Sequence, residues 1–362
     1  MQKNTNETEN KALIAMSGGV DSSVAAYLTK NKGYDCIGAT MRLFQNEDAG
    51  IPRESTCCSL DDVEDARSVC HKLGIPYYVF NFTEDFSTHV IDRFVSAYEL
   101  GTTPNPCIDC NRFLKFEKLF RRAEEIECEY VVTGHYSRIE KSGERYLLKK
   151  AVDLNKDQSY VLYSMTQEQL AHTMFPLGEL CKSETRAIAE ANGFINAKKH
   201  ESQDICFVPD GDYAKIIEQH TGKKYPEGNF VTRDGEILGK HKGIIRYTIG
   251  QRKGLGLALK EPLYVCEKRL ETNEVVLGRN EELFSKELDA NDFNWIAVDG
   301  LNDAIHVKAK IRYRQEEQPA TVFPTGENSV HIEFDAPQRA IAKGQAVVLY
   351  DGDVVVGGGT IC

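Results

Sequence analysis

The sequence lacks a long apolar run. No apolar run among its 362 residues approaches the roughly 18 that a bilayer-spanning helix needs. The first ten residues, Met1 to Asn10, are polar, without the basic start and apolar stretch of a secretory leader. A cytoplasmic protein with no membrane partner is therefore expected. There is no internal repeat and no low-complexity tract, and the composition excludes collagenous, disordered and coiled-coil chains. Positive charge is in deficit, 44 Lys and Arg against 55 Asp and Glu, for a net charge of −11. Taken as an average, that speaks against a surface that binds polyanions all over. What remains is ordinary globular material, 41% hydrophobic and 27% charged, long enough for two or three domains whose cores need no disulfide staples. The 11 cysteines are an odd number. Without an export signal they are expected to be mostly thiols, with some placed for chemistry.

Strand and helix signals alternate through the first 140 residues. Strands are expected at 12–16, 36–43, 77–82 and 129–135, and helices at 22–30, 61–73, from a cap at Thr83 to about 100, and at 112–127. That alternation implies an α/β domain with a doubly wound parallel sheet. Residues 146–213 look mostly helical, with a clear helix at 185–192 that Gly193 would stop. Beyond about residue 222 short β-branched runs are separated by Gly, Asn and Asp: 243–249, 263–266, 274–277, 307–313, 330–334 and 346–350. Asp234-Gly235 and Asp351-Gly352 mark tight turns in this all-β region. An acidic, linker-like stretch near Leu283, ahead of a run at 293–298, divides it. The expected domains are 1–212, a small β-rich domain over 213–284, and a C-terminal β-barrel over 285–362.

The first strand runs directly into Ser17-Gly18-Gly19-Val20-Asp21-Ser22-Ser23, and a helix follows. Two glycines let backbone N–H groups curl around an anion, and the helix N-terminus adds its positive dipole end. Ser17, Ser22 and Ser23 can donate to phosphate oxygens, and Asp21 could hold Mg²⁺ against them. The Gly-x4-Gly-Lys-Ser/Thr signature is absent and no lysine sits in the loop, so this is a different phosphate cradle.

Cys107 and Cys110 form a Cys-x-x-Cys in a loop stiffened by Pro104 and Pro106. Cys110 lies near the start of the helix expected at 112–127, where the dipole, with Arg112 and Lys115, favours a thiolate. A zinc site would need a second pair, and none is evident. Cys206 lies far along the chain. Cys36, Cys70, Cys128, Cys181 and Cys266 sit in apolar or helical patterns and read as inert core thiols. Cys57 and Cys58 lie in a polar insertion.

Taken together, these motifs closely resemble those of the bacterial tRNA-specific 2-thiouridylases. The markers are residues 15–22, Thr103-Pro104-Asn105-Pro106, Thr133-Gly134-His135-Tyr136, Lys156-Asp157-Gln158-Ser159, the run from Tyr247 to Gly256, and Arg312-Tyr313-Arg314-Gln315. The resemblance implies ATP-dependent replacement of oxygen by sulfur at C2 of the wobble uridine of tRNAs for Lys, Glu and Gln, with release of AMP and pyrophosphate. It places ATP on Ala15, Met16, Ser17, Gly18, Gly19, Val20, Asp21, Ser22, Met41 and Gly134, with Mg²⁺. It places the target base near Asn105, Pro106 and Cys107, and tRNA on His135, Lys156, Asp157, Gln158, Arg312, Tyr313 and Gln345. Cys110 matches the nucleophile and Cys206 the persulfide carrier, loaded by a sulfur-donor protein such as a cysteine desulfurase or a relay. The two can end in a disulfide bond. Many members have aspartate where this chain has Cys107. The three-cysteine form is consistent with a 4Fe-4S cluster on Cys107, Cys110 and Cys206, with one iron left open for sulfide.

The charge is also uneven. Lys240, Lys242, Arg246, Arg252, Lys253 and Lys260 lie in a stretch with no acidic residue, as do Lys308, Lys310, Arg312 and Arg314. Such strips can pair with phosphates while Tyr247 and Tyr313 stack on bases or sugars. A small-molecule synthetase with the same loop would lack the far-apart cysteines and the basic strips, and intact Ser17, Gly18, Gly19 and Asp21 argue against a binding-only or redox module with a vestigial loop.

Overall fold

The computed structural model describes residues 10–44, 60–199, 205–208, 210–258 and 260–362. Cys57 and Cys58 lie outside them, as does the stretch just before Ile205. The chain forms two compact units. The first takes Met1–Val90, Cys107–Gly211 and Gly352–Val356, and the second Ile91–Pro106, Asp212–Asp351 and Gly357–Cys362.

The first unit is built on strands β1 (Lys11–Ala15), β2 (Asp35–Arg42), β3 (Tyr77–Asn81) and β4 (Tyr130–Val132), a hairpin of β5 (Arg138–Ser142) and β6 (Arg145–Lys149), and a short β7 (Thr173–Met174). The parallel sheet has the order β3-β2-β1-β4-β7. Ala12, Leu13 and Ile14 of β1 are wholly buried, which is why the central strand reads as an unbroken apolar run rather than an alternation. Helices α1 (Val20–Asn31) and α2 (Leu60–Leu73) contribute Val24, Ala25, Ala26, Val69 and Cys70 to one core with Ile14 and Val132. The chain winds outward from β1 through β2 to β3 and then returns to add β4 and β7 on the other side. The reversal lies between β1 and β4. In doubly wound sheets that switch point, at the carboxyl ends of the strands, is where ligands bind.

Two helices differ from the pattern in the sequence. The one beginning at Thr83 changes to a wider π turn over Ser87–Ile91 before continuing as Asp92–Glu99. Thr83 is its first residue rather than its cap, and its hydroxyl and amide both donate to Asn81 Oδ1. The helix expected from Arg112 starts six residues earlier, at Pro106, whose fixed φ suits a first helical position. It is π-wound over Cys110–Lys118 and ends at Glu125. Residues 146–213 are less helical than their composition suggests, because Arg145–Lys149 is a strand and much of the rest is turns.

In the second unit, β8 (Gly228–Val231), β9 (Ile237–His241), β10 (Tyr264–Arg269) and β11 (Glu274–Gly278) form a sheet of order β10-β11-β8-β9. Then β12 (Phe284–Trp295), β13 (Ile305–Lys310), β14 (Gln318–Gly326), β15 (Ser329–Arg339), β16 (Ala346–Asp351) and β17 (Val354–Ile361) follow in the order β12-β15-β14-β13-β16-β17. Pairing of β12 with β17 closes them into a barrel, which removes the exposed edges. The expected linker near Leu283 is instead a short 3-10 turn that runs straight into β12. The expected strand at 243–249 is a 3-10 turn over Ile244–Arg246, with Ile245 and Tyr247 drawn into the core. Gly235 and Gly352 take the positive φ that their turns demand, +89° and +59°. Among the described residues no helix is long and apolar enough to cross a membrane.

Ile14 is wholly buried in the central strand, so Ile14→Ala should cost about 2–5 kcal/mol of unfolding free energy. Urea denaturation followed by circular dichroism measures it; a midpoint equal to the wild type's would contradict this account of the core.

Candidate active site

The loop between β1 and α1 is fixed from all sides. The Met16 amide donates to Ala39 O at 2.8 Å, and Met16 O accepts from the Thr40 hydroxyl at 2.7 Å. Ser22 Oγ accepts from the Ser17 amide and donates to Gly19 O, and Ser23 Oγ also donates to Gly19 O. Gly18 has φ +74°, and a Cβ there would stand 2.4 Å from Asp62 O, so no side chain fits. Gly19 precedes α1 with no side-chain cap. The first amides of α1 therefore remain available to an anion at the sheet's switch point. Gly134, in the turn after β4, approaches the same helix start so closely that a Cβ would lie 2.8 Å from Asp21 C and Ser22 N. Met41 lies near the carboxyl end of β2. Ala15 ends β1, and Val20 is buried in the first turn of α1.

The lysine missing from the loop arrives from elsewhere. Lys182 opens the helix Lys182–Ala191, and its Nζ reaches both Asp21 oxygens at 2.7 and 2.8 Å. The Tyr136 hydroxyl donates to Asp21 Oδ1 at 2.9 Å and also meets Thr185 Oγ1 at 2.9 Å. A second cation, Lys199, bridges Asp62 and Asp65 at 2.7 and 2.6 Å. Burial opposes the Lys199 charge, but hydrogen bonds to the two carboxylates outweigh it and raise its pKa. Asn196 Nδ2 donates to Gly18 O and Ser23 Oγ, both at 2.9 Å. Sequence reasoning missed the roles of Lys182, Asn196 and Lys199. Each lies more than 130 residues from its partners, and nothing in local periodicity marks it.

The other expected residues are placed as follows. His135 is buried between the Phe116 and Phe175 rings, with Nδ1 2.7 Å from Thr133 Oγ1. Burial, reinforced by the Lys115 charge, holds its pKa well below 6.5, so it is neutral at pH 7 rather than a cation for phosphate. Asp157 accepts from the Ala151 and Ser159 amides and from the Ser159 hydroxyl. Gln158 exchanges two bonds with the Tyr136 backbone at 2.8 and 2.9 Å. With half-buried Lys156, these residues form a turn fastened to the tyrosine that holds Asp21.

Cys107, exposed, is the second residue of its helix, and Cys110 is buried a turn later. Asn111 ties that helix to Val161 O at 2.9 Å. Cys206 is half-buried, followed by Phe207 packed edge-on against Phe86. All three cysteines are thiols, none of them half of a disulfide. Among the described residues no group of three His, Cys, Asp or Glu side chains could hold a metal ion. Burial raises Cys36, Cys70 and Cys128 to about 11, 12 and 11, which makes them inert. Cys181 and Cys266 are half-buried rather than core, and Cys181 caps the Lys182–Ala191 helix.

In the second unit, Tyr247 is buried edge-on to Phe230 at 5.0 Å and stacks on no nucleotide. Arg246 is neutralised by Glu218 at 2.8 Å and Asp212 at 3.6 Å. Its strip is thus partly structural, while Arg252, Lys253 and Lys260 are exposed. Arg312 donates to Ala340 O, and Tyr313 is exposed beside Lys310. Gln345 donates to Thr103 O at 2.8 Å, two residues before Asn105.

A parallel sheet with a glycine loop at its switch point, continued by a small β domain and a closed barrel, defines a nucleotide-binding α/β protein with appended β modules. Residues 10–210 match the tRNA methyl transferase HUP domain, 214–279 the tRNA methyl transferase PRC-barrel domain, and 285–361 the aminomethyltransferase beta-barrel domain. The chain is 54% identical to the tRNA-specific 2-thiouridylase MnmA of Clostridioides difficile, over 97% of this chain and 98% of that one. It is 52% identical to that of Lachnoclostridium phytofermentans over 97% and 99%, and 51% identical to that of Acetivibrio thermocellus over 98% and 99%. The chain belongs to the tRNA-specific 2-thiouridylase family.

Lys182→Met removes charged hydrogen bonds worth about 1.5–3 kcal/mol, so KM for ATP should rise roughly ten- to hundredfold. Gly134→Ala should lower kcat/KM for ATP by about a hundredfold, because its Cβ displaces the start of α1. Pyrophosphate-release kinetics read both, and an unchanged KM in Lys182→Met would show that the lysine has no part in nucleotide binding.

Proposed function

We propose that this protein thiolates the wobble uridine of tRNA at C2, using ATP to activate the oxygen that is replaced. The observation that carries the reading is the phosphate loop with Asp21 held by Lys182 and Tyr136, in a chain about half identical, end to end, to tRNA-specific 2-thiouridylases. Residues 15–22, Met41 and Gly134 bind ATP. Asp21 supplies one carboxylate to Mg²⁺, which neutralises phosphate charge when bound, while Lys182 turns from Asp21 to the phosphates.

Uridine O2 attacks the α-phosphorus and pyrophosphate leaves, which gives an O2-adenylate. A sulfur-donor protein, such as a cysteine desulfurase or a relay, loads a persulfide on Cys206. Its terminal sulfur attacks C2, and AMP departs with the original oxygen. The Cys110 thiolate then attacks Cys206 Sγ. The bond to the delivered sulfur breaks, its electron pair stays with the uridine as 2-thiouridine, and a Cys110–Cys206 disulfide remains. Two electrons and two protons from a thiol reductant reopen it. Asn105, Pro106 and Cys107 receive the base. Lys156, Arg312, Tyr313 and the exposed basic residues of the β region face tRNA, with tRNAs for Lys, Glu and Gln as the substrates. This persulfide route uses no iron; a 4Fe-4S cluster held by Cys107, Cys110 and Cys206 would be the alternative sulfur carrier.

Pyrophosphate release should depend on unmodified tRNA, and mass spectrometry should find 2-thiouridine in the product. Cys110→Ala and Cys206→Ala should each lose roughly three orders of magnitude or more in thiolation. Release of pyrophosphate without tRNA would favour a small-molecule synthetase instead. Protein purified without oxygen should hold far less than one cluster of iron and sulfide per chain. Stoichiometric iron, lost together with activity in Cys107→Ala, would replace the persulfide route with a cluster.

A further inference from the structure

A turn of the β-barrel holds the loop that leads into Cys107. Helix Asp92–Glu99 ends at Gly101, whose φ is +75°. Thr102 closes it, its amide and hydroxyl both donating to Ala97 O at 2.9 and 2.8 Å. The next residue is captured on both backbone groups. The Thr103 amide donates to Lys343 O at 2.8 Å, and Thr103 O accepts from Gln345 Nε2 at 2.8 Å, with Pro104 O a further acceptor at 3.4 Å. Between the two partners, Gly344 takes φ +87°, and a Cβ there would stand 2.9 Å from that of Thr102. The turn is itself rigid. The Gly344 amide donates to Ile361 O and the Ile361 amide to Gln345 O, at 2.9 and 2.8 Å. The helix ahead of the loop is fixed in the same unit, with Asp92 on His220, Glu99 on Lys223 and Tyr225, and Tyr98 stacked on Tyr213.

We propose that Gln345 is a positioning residue: it acts on the Thr103–Pro106 loop rather than on tRNA directly, and so sets where Asn105 and Pro106 present the target base. The chemistry suits this role. Of the two polar atoms of the Gln345 amide, only the nitrogen can donate to the carbonyls of Thr103 and Pro104. Prolines on either side of Asn105 leave the loop few other conformations once Thr103 is pinned. Anchoring the loop at one residue therefore fixes all of it. The inference rests on the thiolation reading for its consequence in catalysis but not for its geometry.

The experiment is hydrogen exchange of the full-length protein, read in peptides spanning residues 101–107, beside steady-state kinetics and tRNA binding. Pro104 and Pro106 have no amide, so the signal comes from few positions, Thr103 prominent among them. Gln345→Ala should speed exchange there at least about tenfold. It should lower kcat about tenfold and leave the Kd for tRNA within about twofold. Gln345→Glu keeps the size and loses the donor, and should behave like Gln345→Ala, with a melting curve confirming that both fold. Unchanged exchange in either variant would overturn the proposal, as would a weakened Kd with kcat intact, which marks a direct tRNA contact. Failure of the wild type to thiolate tRNA would count against the proposed function and leave the exchange result standing.

Discussion

The carboxylate of Asp21 is the point on which the nucleotide site depends. An acid in the first turn of a helix is favoured by the dipole there, but it also opposes the anion that the same amides would bind. The structure resolves the conflict by neutralising Asp21 with Lys182 at contact distance and orienting it with the Tyr136 hydroxyl. The anion site therefore keeps its positive character without a lysine in the loop. Everything nearby serves that arrangement. Gly134 has no side chain because the strand-end turn must pass against Asp21, and Gln158 fastens the Tyr136 backbone so that its hydroxyl arrives where it is needed.

That chain of contacts changes what several expected tRNA-binding residues do. His135, Asp157 and Gln158 follow or face the turn that carries Tyr136, and two of them spend their polar groups on protein backbone. Buried and uncharged, His135 belongs to the packing under the π-wound helix of Cys110. A residue can matter to RNA chemistry by shaping the wall behind the site, and such residues share motifs with those that touch the ligand.

How far the sequence could be read follows from the range of the forces involved. The parallel sheet was legible because strand and helix signals alternate along the first 140 residues and β1 is an unbroken apolar run. The phosphate loop was legible because its glycines are required by local backbone geometry. The strands of the β-rich half were legible from short β-branched runs between turn residues, except where tertiary packing overrode the pattern. Residues 243–249 read as one such run, yet Ile245 and Tyr247 are buried at a 3-10 turn over Ile244–Arg246. The early start of the helix at Pro106 was signalled by the proline but masked by the reading of Thr103 to Asn111 as a loop. Lys182, Asn196 and Lys199 carried no signal at all, because each acts across the fold on groups far away in sequence.

The acidic average and the surplus of cysteines have the same kind of explanation. Net charge is set by the whole surface, whereas phosphate binding is set by a few cations whose acidic neighbours are absent. Arg246, paired with two carboxylates, shows that an acid-free stretch of sequence is not an acid-free stretch of surface. The thiols of the sheet core are set apart by what burial costs their charged form. Burial alone drives Cys70 to about 12 and so takes it out of nucleophilic chemistry at neutral pH. Cys107 stands exposed at the start of a helix, with Cys110 a turn behind it. One helix that begins at Pro106 carries both, Cys107 in its first turn and Cys110 where the winding widens to π.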